Sequence, residues 1–123
     1  MSTRIIKIYR GDSFEFDISV PTKEYPTKNY FLTAADAVYF ALLYPNQRFE
    51  EAILIKGYAL DDQDKSGNIN IKLVPNDTRG LTPGIYYYTV KLQRGGTLEN
   101  VADFDEPDEV RTLIERTKFI INE

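Results

Sequence analysis

A chain of 123 residues with 42% hydrophobic and 28% charged side chains has the length of one autonomous domain and a globular rather than a disordered balance. It contains no cysteine and no histidine, which excludes disulfides, thiolate zinc sites, a thiol nucleophile, and the commonest general base and transition-metal ligand. Its net charge of −4, with acids and bases intermixed, gives no basic footprint for nucleic-acid phosphates.

The opening residues, MSTRIIKIYRGD, lack the apolar core of a secretion signal, and no apolar run approaches the roughly 20 residues of a membrane span. The expectation is a product of the cytoplasm with no membrane segment. From there, period-two alternation dominates, the pattern of half-buried strands. RIIKIY turns Ile6 and Ile8 inward and Lys7 outward. SFEFDISV places Phe14, Phe16, Ile18 and Val20 opposite Ser13, Glu15, Asp17 and Ser19. AVYFALLY is apolar on both faces and predicts a central strand covered on both sides. EAILIKGYA and NINIKLV follow, the latter alternating Ile69, Ile71 and Leu73 with Asn70 and Lys72. GIYYYTVKL sets Tyr86, Tyr88, Val90 and Leu92 opposite Thr89 and Lys91. VRTLIERTKFIINE reads as two short strands broken or bulged near Glu115-Arg116.

Gly11, Pro45-Asn46, Ser66-Gly67-Asn68, Pro83-Gly84 and Gly95-Gly96 punctuate these runs with turn chemistry. Helical periodicity is nearly absent: Thr33 or Asp36 suits the cap of a short turn, and PNDTRGL one turn of helix. Seven or so short strands with regular turns predict an antiparallel β-sandwich. The stretch LENVADFDEPDEV, residues 98–110, is acidic, poorly alternating and long for a hairpin loop.

Four local signals invite a functional reading. Arg10-Gly11-Asp12 matches an adhesive tripeptide, but strand character on both sides makes it the turn that lets two strands pair. Asp62, Asp64, Ser66, Gly67 and Ile69 match the first half of a calcium loop. The twelfth position, however, holds Leu73, a core residue, instead of a bidentate glutamate, so a polar turn between strands explains the match. Asp103, Asp105, Glu106, Asp108 and Glu109 form a solvated acidic run. Acid–base hydrolysis by such a run needs an apolar pocket to raise one pKa, and a soluble loop or an electrostatic docking rim fits the composition better. Nine tyrosines and seven phenylalanines suit interfaces and sugar stacking alike. LTPGIYYYTVKL has the form of a tyrosine corner, with Tyr86 or Tyr87 as the corner residue; alternation turns Tyr86 inward.

The order of these pieces resembles the immunoglobulin-like domain of bacteriophage baseplate upper proteins and related tail and virion proteins. The resemblance rests on Arg10-Gly11-Asp12, Leu32-Thr33-x-Ala35, Gly67-x-Ile69, Asp77-Thr78 through Leu81, Gly84 and Tyr86, and Lys118-Phe119-x-Ile121. It implies an immunoglobulin-like sandwich of about seven to eight strands, and a virion component in the baseplate, tail, neck or capsid. Such a protein docks other virion proteins, repeats by particle symmetry, and needs no cofactor, metal or catalytic residue. Its expected contacts are the outward Ile85, Tyr87 and Ile120, with Arg94, Asp103, Asp105 and Glu106 on the rim. The alternative is a carbohydrate-binding module for host adhesion, which predicts a coplanar set of exposed rings on one sheet, for instance Tyr39, Tyr58 and Tyr87.

Overall fold

The computed structural model describes residues 5–20, 30–94 and 109–123. Through them run β1 (Ile6–Tyr9), β2 (Phe14–Ser19), β3 (Asp36–Leu43), β4 (Leu54–Tyr58), β5 (Asn68–Leu73), α1 (Pro75–Arg79), β6 (Gly84–Arg94) and β7 (Glu109–Asn122). They form an all-β sandwich. One layer is a five-stranded sheet in the order β1-β7-β6-β3-β4, and the other is the pair β2-β5. β3, β6 and β7 thus stand where strands C, F and G stand in an immunoglobulin sandwich. β4 extends that sheet as C′ does, and β2-β5 supplies the facing B-E pair.

The inner faces follow the alternation. Ile69, Ile71 and Leu73 of β5 meet Val38, Phe40, Leu42, Tyr88, Val90, Leu92, Phe119 and Ile121 in one core. At its centre the rings of Phe16, Phe40 and Tyr88 form a triangle with centroid distances of 6.3, 6.2 and 6.0 Å. In antibody-type domains an inter-sheet B–F disulfide and a strand-C tryptophan occupy this place. Here, without cysteine or tryptophan, three edge-to-face and stacked aromatics bridge the layers. β3 is buried along its whole length, as its two-sided apolar pattern requires. The segment Tyr44–Ile53 returns over its outer face and seats Phe49 against Ala37, Tyr39 and Ala41.

Three of the motifs meet at one end of the sandwich: the Arg10-Gly11-Asp12 turn, Asp77-Thr78 and the corner at Tyr86. Gly11 adopts φ 82°, a conformation glycine takes without a Cβ penalty. Its amide donates to the buried Thr78 hydroxyl at 2.9 Å. Asp12 N–H donates to the Tyr9 carbonyl at 3.0 Å, and Arg10 N–H to that of Asn122 at 2.7 Å. Asp77 accepts the Val74 amide at 2.7 Å at the start of α1. The Tyr86 hydroxyl donates back to the Thr82 carbonyl, so Tyr86 is the corner residue. The Arg-Gly-Asp triplet is therefore part of the fold.

Three expectations change. The Arg10–Asp12 turn does not pair the strands it joins: β1 lies beside β7 and β2 beside β5, so the turn carries the chain between layers. β1 and β7 run parallel, which makes the large sheet mixed. The C-terminal run is one strand, β7, with a bulge where expected, because Thr117 opposes Tyr88 while Ile114 opposes Val90. Thr89 therefore faces both Glu115 and Arg116, the two-against-one count of a bulge.

Candidate interaction surface

β6 sets the surface. Its even-numbered residues fill the core, so Ile85, Tyr87, Thr89 and Lys91 point away from it. At the Gly84 end, Ile85 is 52% exposed and sits opposite Ile120 of β7, which neighbours Lys7 of β1. Tyr87 stands opposite Lys118. Tyr9, 60% exposed, lies on the same face of β1. The result is an apolar and aromatic patch edged by lysines. Exposed apolar clusters of this kind mark contact sites more often than scattered single residues do.

Further along the same strand the surface becomes a groove of about 400 Å³. Arg48 and Phe49 form one wall, Thr89 and Lys91 the floor, and Thr112, Glu115 and Arg116 of bulged β7 the other wall. The Lys91 ammonium stands 5.0 Å from the Phe49 ring centroid. The Arg116 guanidinium donates to the Gln47 carbonyl, tying the bulge to the crossing segment. Thr89 donates its hydroxyl proton to the Ile114 carbonyl at 2.7 Å, which satisfies a backbone oxygen at the bulge. Arg48 pairs with Glu51 at 3.4 Å in solvent, a geometry that contributes little.

Of the residues picked out in the sequence, Ile85, Tyr87 and Ile120 come together. Arg94 does not join them. It lies nine residues beyond Ile85, about 30 Å along a strand. There it pairs with Asp36 at 3.5 Å and stands 5.2 Å from the Tyr30 ring centroid. Asp103, Asp105 and Glu106 lie outside the described residues. Tyr39, Tyr58 and Tyr87 do not form a common platform. Tyr39 is buried under Phe49, and Tyr58 packs on the inner core, so neither shares an exposed face with Tyr87. Burial raises the pKa of both hydroxyls. In the calcium-like loop, Asp64 accepts the amides of Ser66 and Asn68 at 2.9 and 2.8 Å, and Asp62 accepts that of Ala59 at 2.8 Å. These carboxylates cap their own turns.

The groove was not legible as a site. The odd-numbered outward positions of β6 and the bulge at Glu115-Arg116 were, but Gln47 and Arg116 are 69 residues apart, and no spacing announces that they meet. Among the described residues, no group of three or more acidic residues is arranged to hold a metal ion, and no helix is long and apolar enough to cross a membrane. Comparisons with protein-family models, with curated proteins and with solved structures find no match for this chain.

Proposed function

We propose that this chain is a structural component of a bacteriophage virion, in the tail, baseplate or capsid, that assembles with other virion proteins and catalyses no reaction. In this reading it repeats by the symmetry of the particle and docks through the outer face of the five-stranded sheet. The observation that carries the reading is the patch of exposed Ile85 and Tyr9 with half-buried Ile120 on the outer face of the five-stranded sheet. The internal use of three of the motifs supports it as well. The Arg-Gly-Asp turn, the Asp77-Thr78 helix and the Tyr86 corner all stabilise the sandwich, which leaves the outer face for recognition.

The test is mass spectrometry and cryo-imaging of purified particles from cells that produce the chain. The expected result is the chain at a symmetric, stoichiometric position with its five-stranded face against a neighbour. Particles that lack it overturn the proposal. Ile85→Asp is expected to abolish incorporation while leaving the circular dichroism and melting of the isolated chain nearly unchanged, because this side chain is half in water already.

A further inference from the structure

Resting on that docking reading, the geometry points to a specific chemistry for the partner: an extended acidic segment whose carboxylate enters the groove beside Lys91 and whose apolar residue covers Ile85. Three cations, Arg48, Lys91 and Arg116, line the groove with the carboxylate of Glu115, and with Arg48 already paired to Glu51, Lys91 and Arg116 supply the excess. Arg116 donates to a neutral carbonyl, and Lys91 stands over a neutral ring. Among the described residues neither belongs to an ion pair. This is a local excess of positive charge on a chain of net charge −4.

A guanidinium and an ammonium group lining one groove are matched to a carboxylate, which accepts charge-assisted hydrogen bonds from such donors. The Glu115 carboxylate opposes a dianion at the same place, and the acidic molecule as a whole repels polyanions, so a singly charged carboxylate fits better than phosphate or nucleic acid. The Phe49 ring supplies an apolar wall for the stem of such a side chain. The groove and the Ile85 patch lie on one strand, with Lys91 six residues from Ile85, about 20 Å in extended chain. A small ion cannot span that distance; a strand-like segment of about seven residues can.

The experiment is calorimetric titration of the full chain with an acetylated, C-terminally amidated peptide of about seven residues, beginning in leucine and ending in one aspartate. Its asparagine analogue and inorganic phosphate serve as the comparison probes. The acidic peptide is expected to bind, with affinity that falls as salt rises. The asparagine analogue is expected to bind at least tenfold more weakly. Lys91→Gln with Arg116→Gln is expected to abolish the difference between the peptides, and Ile85→Ser to weaken the acidic peptide severalfold while preserving that difference. Equal affinity for the two peptides overturns the proposal, as does phosphate binding more tightly than the acidic peptide, or no binding at millimolar concentration. The titration uses the isolated chain, so it stands or falls separately from the particle experiment.

Discussion

Asp36 shows how a single buried charge is held. It begins β3 almost wholly out of water. Burial alone raises its pKa. That effect is outweighed by hydrogen bonds from the Tyr30 hydroxyl and from the Thr33 amide and hydroxyl, with the Arg94 charge beside them, so the carboxyl lies below its ordinary value. A carboxyl depressed in the folded state contributes stability above the unfolded value of about 4 and loses it as pH falls through the lower folded value. Asp36→Ala is expected to cost about 2–3 kcal/mol near neutral pH, since several donors lose their acceptor. Asp36→Asn is expected to flatten the acid side of the stability curve below about pH 4. Urea denaturation across pH checks both, and an unchanged acid slope contradicts the assignment. Gly11 gives the backbone counterpart. A Cβ there meets open space, so Gly11→Ala is expected to cost only the left-handed conformation, about 1–2 kcal/mol. Arg10→Ala, which breaks an exposed pair with Glu123, is expected to cost under about 1 kcal/mol in the same denaturation assay.

Elements are held by a few side chains, some local and some crossing between layers. Tyr86 ties the start of β6 to Thr82, and burial with the nearby Tyr44 raises its pKa. Tyr86→Phe is expected to lower stability by about 1 kcal/mol, whereas Tyr87→Phe on the outer face is expected to leave the melting temperature unchanged. At the opposite edge, β4 and β5 share no ladder. Lys56 spans the gap instead, donating to the Lys72 carbonyl at 2.8 Å and pairing with Asp77 at 2.6 Å. The Lys72 amide donates to the Tyr58 hydroxyl at 3.3 Å. Lys56→Met keeps the packed stem and removes the charge, so it is expected to cost about 1–3 kcal/mol. A double-mutant cycle with Asp77→Asn measures how much of that loss belongs to the pair.

At the scale of the whole molecule, the two layers are held by aromatic packing in the absence of any covalent staple. Phe40 is fully buried and touches both other rings of the triangle. Phe40→Ala is expected to cost about 3–5 kcal/mol. The Phe16/Tyr88 pair is expected to show a coupling of about 0.5–1.5 kcal/mol, read by chemical denaturation of the single and double variants. The sandwich offers its surroundings a face of changing chemistry along β6, from Ile85 to Lys91.

The sequence by itself determined where the strands run, which residues face inward, where β7 bulges and where the turns fall. These depend on alternation and on residues with special backbone angles, which are local properties. Ile69, Ile71 and Leu73 face the core because nothing but a two-residue period is needed to place them. Only the tertiary structure decided that β1 lies parallel to β7 instead of pairing with β2, that Tyr39 and Tyr58 leave the surface, and that Arg48, Lys91 and Arg116 enclose one groove. Strand pairing and the meeting of distant side chains depend on register across the chain, and no local pattern encodes which distant partner a strand edge will find.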